Sequence, residues 1–112
     1  QLEMYLGMSQ SEVDSIGGRG SDEGGKLKET GELHWEVPNV ATNQSGFSAL
    51  PGGYRYYNGN FILLRYFASF WSSSELDTVL VGIRSLWNND ALIYRSALVE
   101  KERGLSIRCI KD

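Results

Sequence analysis

The stretch Gly46-Phe-Ser-Ala-Leu-Pro-Gly-Gly-Tyr-Arg55 constrains the fold of this chain more than any other. Pro51 fixes its own φ, Gly52 and Gly53 admit positive φ, and Phe47, Leu50 and Tyr54 offer apolar anchors around them. A segment so dense in backbone-restricting residues reads as a rigid turn that frames a sheet, not as a catalytic loop. No catalytic motif stands elsewhere in the chain, so a function must be sought in its surfaces.

Upstream of that turn, Leu2, Tyr5 and Leu6 sit at helical spacing and Gly7 can close the helix behind them. Ser9-Gln-Ser-Glu12 offers a capping box for a second short helix, expected to end at Gly17-Gly18. From Gly17 to Gly31 glycine and charge dominate, which reads as a surface loop; within it, Gly20-Ser-Asp-Glu-Gly24 has the composition of an ion cradle. Glu32 to Thr42 is broken at Pro38 and reads as an irregular connection pinned by Trp35. Downstream, Tyr56-Tyr-Asn-Gly59 carries an Asn-Gly turn signal, and Phe61 to Trp71 is aromatic and aliphatic. Three strand-like runs follow, Thr78–Trp87, Ala91–Val99 and Gly104–Ile110, separated by Asn88-Asn-Asp90 and Glu100-Lys-Glu-Arg103. This order predicts an α+β protein, with short helices and long loops in the first half and an antiparallel β-meander in the second.

A chain of 112 residues forms one domain with a modest core. Its net charge of -3 conceals an asymmetry: residues 1–50 carry three basic and eight acidic side chains, residues 51–112 eight basic and six acidic. The second half is too weakly basic for a nucleic-acid surface. The apolar run from Phe61 to Trp71 contains Arg65 and is too short to span a membrane. The chain opens at Gln1 without a basic-then-apolar leader, as a processed product or a piece of a longer protein would. The single cysteine, Cys109, shares a strand face with Leu105 and Ile107 and is expected to be a small buried hydrophobe, with no disulfide inside the chain.

Each candidate for chemistry has a structural reading. His34 is the only histidine and has no cysteine partner for a zinc site. Ser72, Ser73 and Ser74 beside Glu75 lack a marked base and oxyanion hole, and are expected to hydrogen-bond loop backbone. Trp87-Asn-Asn-Asp90 and Trp35-Glu-Val-Pro-Asn39 are similar to the Trp-Asn-Asp and Glu-Pro-Asn signatures of calcium-dependent C-type lectins. Asn89 intrudes in the first and Val37 replaces the glutamate of the second, so Asn88-Asn-Asp90 reads as a hairpin turn. No metal or cofactor is expected. Arg84, Arg95 and Arg108 are expected to bridge to Glu75 or Asp77 or to hydrogen-bond loop carbonyls.

What remains is a surplus of large apolar groups. Ile62, Leu63, Leu64, Tyr66, Phe67 and Phe70 crowd one segment, and Leu76, Val79, Leu80, Val81, Ile83, Leu86 and Trp87 follow. A small domain cannot bury both faces of every strand, so part of this set should form an exposed patch of the kind that binds proteins.

Leu6-Gly-Met-Ser-Gln-Ser-Glu12, Gly24-Gly-Lys-Leu-Lys28, the Gly46–Arg55 stretch, Phe70-Trp-Ser-Ser-Ser-Glu75 and Gly104-Leu-Ser-Ile-Arg-Cys-Ile-Lys-Asp112 occur in order along the whole chain. Together they resemble the Fibrobacter succinogenes major paralogous domain, found in secreted and surface proteins of Bacteroidetes. The resemblance implies a C-type-lectin-like fold, related to that of formylglycine-generating enzymes, and an extracellular or cell-surface location. Residues 1–112 would then be a single such domain lacking its N-terminal part. The last segment would take its strand partner from an upstream piece or a second copy. Formylglycine-generating enzymes use a cysteine pair, which this chain lacks, so that activity is not expected. A structural module in a larger surface protein is the other alternative. Leucines, isoleucines and other varied residues between the framework motifs are similar to the variable proteins of diversity-generating retroelements. On that reading the domain is a non-catalytic recognition module for a protein or glycan. Its expected contact surface is residues 56–67 with the solvent side of 76–98, and within it Tyr56, Tyr57, Ile62, Leu63, Arg65, Tyr66, Leu76, Leu80, Ile83, Trp87, Asn88, Leu92 and Tyr94.

Overall fold

A computed structural model describes residues 1–75 and 77–109, with Glu75 described in its backbone only. In chain order the elements are α1 (Leu2–Leu6), α2 (Gln10–Asp14), β1 (Gly17–Arg19), α3 (Glu23–Leu27), β2 (Tyr54–Arg55), β3 (Phe61–Ile62), β4 (Phe67–Glu75), β5 (Leu80–Trp87) and β6 (Ile93–Glu100). The class is α+β, with short helices and predominantly antiparallel strands.

Strands β4, β5 and β6 form the meander, and β1 pairs with the free edge of β6 to give the order β1-β6-β5-β4. The register, with Ala68 opposite Leu86 and Arg84 opposite Arg95, puts Ala68, Leu86 and Ile93 on one face. That face packs against Leu6, Met8, Leu27, Trp35 and Ala49 to make the core. Phe67, Val81, Ile83 and Val99 are buried too; Tyr54, Arg103 and Leu105 line the same small cavity as Phe67, Ile83 and Val99. Long loops therefore cover part of the second face, which is why so many apolar strand residues are tolerated in so small a protein.

Gly46–Arg55 frames the sheet as its composition predicts. Ala49 is bridged to Lys28 and its carbonyl accepts the Trp35 indole N–H at 3.0 Å. The Gly53 N–H donates to the Phe67 carbonyl at 2.7 Å, and a Cβ at Gly53 would overlap the Ile62 carbonyl. Leu50, expected as an anchor, is exposed instead. The Ser9–Glu12 capping box is formed, and Tyr56–Asn60 closes the β2–β3 hairpin.

Four expectations are corrected. The second helix stops at Asp14, because the following residues are drawn into β1 by pairing with β6. Residues 20–28 are not a surface loop: Glu23, Gly24, Gly25, Leu27 and Lys28 are buried. The glycines serve close approach. Gly24 donates its N–H to the Ala91 carbonyl at 2.7 Å, and a side chain there would collide with the Leu92 carbonyl. Gly104 and Ser106 do not extend the meander beyond β6. Gly104 pairs with Arg55, and Ser106 lies parallel to Phe70 on the outer edge of β4. Ile107 and Cys109 consequently point to solvent, and Cys109 is not a buried hydrophobe. Ile110 lies outside the described residues.

Among the described residues, no helix is long and apolar enough to cross a membrane.

Candidate functional site

The β2–β3 hairpin and the turn after it carry a run of exposed large apolar side chains. Phe61 is 80% exposed, Leu64 67%, Tyr57 60% and Tyr66 45%, all within ten residues. The Asn58-Gly59-Asn60 turn forces them outward. Asn58 accepts the Asn60 N–H, and Gly59 takes a φ of 90° that an L-residue disfavours. Leu63 and Arg65 also adopt positive φ, at 60° and 74°, bending the chain sharply between β3 and β4. A bulky residue held in that region is a strained backbone position, of the sort that persists only where its surroundings fix it.

Hydrogen bonds fix it: the Leu63 carbonyl accepts the Tyr66 and Phe67 N–H groups, the Arg65 N–H donates to the Pro51 carbonyl, and the Arg65 carbonyl accepts the Glu36 N–H. A ladder of aromatic rings joins the hairpin to the buried interior. Trp87 contacts Phe67 at 4.7 Å between centroids, Phe67 contacts Tyr54 at 5.8 Å, Tyr54 contacts Tyr56 at 6.2 Å, and Tyr56 contacts Tyr57 at 4.2 Å. The ladder runs from half-buried Trp87 through buried Phe67 to exposed Tyr57. Arg103 lies over the rings of Tyr54 and Tyr56 while its guanidinium is paired to Glu100. The Tyr56 hydroxyl is pushed above its usual pKa by its hydrogen bond with Tyr57.

The expected contact residues divide into groups. Tyr56, Tyr57, Ile62, Leu63 and Tyr66 gather at the hairpin, and Trp87 joins them through the ladder. Tyr94 leaves the same sheet face as Trp87, opposite Ser85, and donates its hydroxyl to Asp90 at 2.7 Å. Leu92 is half-buried beside Gly18 and Gly24. Leu80 is half-buried at the far end of β5, about 23 Å from Trp87 along a strand rising ~3.3 Å per residue. Arg65 spends its fork on the scaffold, on Glu36 and the carbonyls of Glu32, Leu33 and Trp35. Ile83 and Asn88 are corrected: both are buried, Ile83 because it faces the covered side of β5, Asn88 because its amide donates to the Glu36 carbonyl. Leu76 lies outside the described residues. Exposed Phe61 and Leu64 lie within the expected contact stretch of residues 56–67, though neither was named individually.

The two segments similar to lectin calcium signatures do meet in space. Val40 donates to the Asn88 carbonyl at 2.9 Å, and Asn88 reaches back to Glu36. The cation between them is Lys28. Its fully buried ammonium donates to the carbonyls of Trp87 (2.7 Å), Asn88 (3.2 Å) and Asp90 (2.6 Å), and lies over the Trp35 ring. Burial lowers the Lys28 pKa from 10.5 to about 8, opposed by the nearby Asp90 charge. The Asp90 carboxylate is engaged with the Leu92 N–H and Tyr94, so the oxygens of this turn serve internal donors. Likewise the Glu23 carboxylate accepts the N–H groups of Ser21 and Asp22, filling the cradle read in Gly20–Gly24.

Of the arginines, Arg95 bonds the Val13 and Asp14 carbonyls as expected of a structural role, and Arg84 pairs with Glu3; the Glu75 side chain, one expected partner, lies outside what is described. Ser72 donates to the Gly82 carbonyl, a backbone tie. His34 pairs with Glu29 on the surface. Among the described residues no group of three or more His, Cys, Asp and Glu comes together.

An α+β domain with a four-stranded sheet, loop-covered on its second face and carrying an aromatic hairpin, is thus the class of protein in hand. The chain belongs to the Fibrobacter succinogenes major domain family, whose model matches residues 1–111. No curated protein and no solved structure shows significant similarity to it.

Proposed function

We propose that this domain is a non-catalytic recognition module of C-type-lectin-like fold, exposed outside the cell, that binds a protein through the hairpin end. The observation that carries the reading is the exposed run Tyr57, Phe61, Ile62, Leu64 and Tyr66, joined to the core by the ring ladder. Rigid aromatic anchors and aliphatic area on a braced backbone lose little entropy on binding. Aliphatic groups interleaved with the rings favour a protein over a glycan, which would call for more hydrogen-bonding groups. Diversification by a retroelement would make the exposed side chains between framework motifs vary from copy to copy while the buried residues stay fixed.

Sequencing this gene from many isolates, with its neighbourhood, tests the diversification. Substitutions should concentrate at exposed positions such as Tyr57, Ile62, Leu64 and Tyr66, with a reverse transcriptase and a near-repeat of the last part of the gene nearby. Uniform variation reaching Ile83 and Phe67 would rule it out. Replacing Tyr57, Phe61 and Leu64 together by alanine should abolish binding to a selected protein target with a stability change within about 0.5 kcal/mol per site. Retained binding by that triple variant would refute the hairpin surface, and selection of a glycan alone would refute the choice of ligand.

A further inference from the structure

A cleft of about 490 Å³ opens on the core side of the sheet, away from the hairpin, between α1, the outer part of β4 and Phe47. Its size falls within the range of small-ligand sites. Its floor is apolar: Leu27, Leu86 and Ile93 lie beneath, and Phe47 and Phe70 meet edge to face at 5.8 Å. Its polar groups are of unequal sign. Of its charged side chains Glu3 is acidic and Arg84 and Arg108 are basic; the Glu3 carboxylate bonds Arg84 in the cleft and Arg19, which is buried and not part of the lining. Arg108 stands over the Phe47 ring at 4.6 Å and has no carboxylate partner among the described residues. The cleft thus joins two phenyl rings to a surplus of positive charge whose hydrogen-bond donors are planar forks.

We propose that this cleft binds a carboxylate attached to an apolar or aromatic body, the body against Phe47 and Phe70 and the carboxylate on Arg108, with Arg84 beside it. Charge complementarity selects the anion: a cationic ligand would meet Arg84 and Arg108, while the one acidic group is already doubly paired. A free organic acid and the C-terminal carboxylate of an apolar peptide present the same chemistry.

The test titrates the full chain with 4-phenylbutyrate, decanoate and an acetylated tripeptide ending in Leu-Phe, each beside its carboxamide, and follows backbone amide shifts. Saturable shifts at Phe70, Ser72, Ser74 and Arg84 are expected for a carboxylate, with the amide about 10-fold weaker, the size of one lost charge-assisted contact. Whichever acid binds more tightly names the source. Arg108→Ala should weaken the acid about 10-fold and leave the amide unchanged; Arg108→Glu should abolish acid binding. Equal affinity for acid and amide, no saturable shift at millimolar acid, or undiminished binding by Arg108→Glu would overturn the proposal. Arg108 is exposed, so melting temperatures of both variants should match that of the parent.

Discussion

Lys28 is the residue on which most of the local architecture converges. A buried lysine is costly unless its ammonium is hydrogen-bonded, and here three carbonyls of one turn take its three protons. Lys28→Met would withdraw that donor and is expected to cost about 3 kcal/mol in urea unfolding. The pH dependence has a definite sign. In the fold the pKa is about 8, in the unfolded chain 10.5, so between these values the unfolded chain holds a proton that the folded chain has released. Unfolding then takes up a proton, and this residue makes stability rise with pH across that window, by at most about 1.4 kcal/mol per pH unit. The rise should be present in the parent and missing in Lys28→Met. Nothing in Gly24-Gly-Lys-Leu-Lys28 distinguishes this lysine from Lys26, whose ammonium bonds the Leu6 carbonyl and pairs with Asp22. The difference arises from a turn sixty residues away.

At the scale of elements, local signals worked where the partner was close in sequence. The Ser9–Glu12 box, the Gly7 helix end and the Asn58-Gly59 turn each involve groups within about one turn of chain, and all three are formed. The glycine-rich region failed because its conformation is decided by contact with Ala91 and Leu92 at the start of β6. Glycine composition looks alike whether the residue is free in a loop or packed against backbone. Gly24→Ala separates the two: a flexible loop would tolerate or gain from it, whereas overlap with the Leu92 carbonyl should cost about 3 kcal/mol or more, read as a lowered denaturation midpoint.

For the whole molecule, the Glu3 hub matters most. Through Arg19 and Arg84 it ties α1 to β1 and β5, linking positions 81 residues apart. Burial raises its carboxyl pKa, but the two guanidinium groups outweigh that and hold it below 4.5. Its contribution to stability is therefore complete above pH 4.5 and is lost as pH falls through the lower folded value. Glu3→Gln should remove this acid-sensitive component and cost about 3 kcal/mol at pH 7, since it strands the buried Arg19. An unchanged acid-unfolding midpoint in that variant would contradict the linkage.

The residues alone carried the class, two of the three strand-like runs (Thr78–Trp87 as β5 and Ala91–Val99 as β6), the framing role of Gly46–Arg55 and the apolar surplus. These depend on period, turn chemistry and composition, which are local. Only the tertiary structure decided which apolar groups reach solvent. Ile83 and Ile62 have the same chemistry, yet one lies under Tyr54 and Leu105 and the other at a hairpin edge. It also decided that β1 pairs with β6 and Ser106 bridges to Phe70, that Lys28 fills the turn after β5, and that Arg84 turns to Glu3. Each is a contact between segments far apart in the chain, set by closure of the whole core, which no window of residues contains.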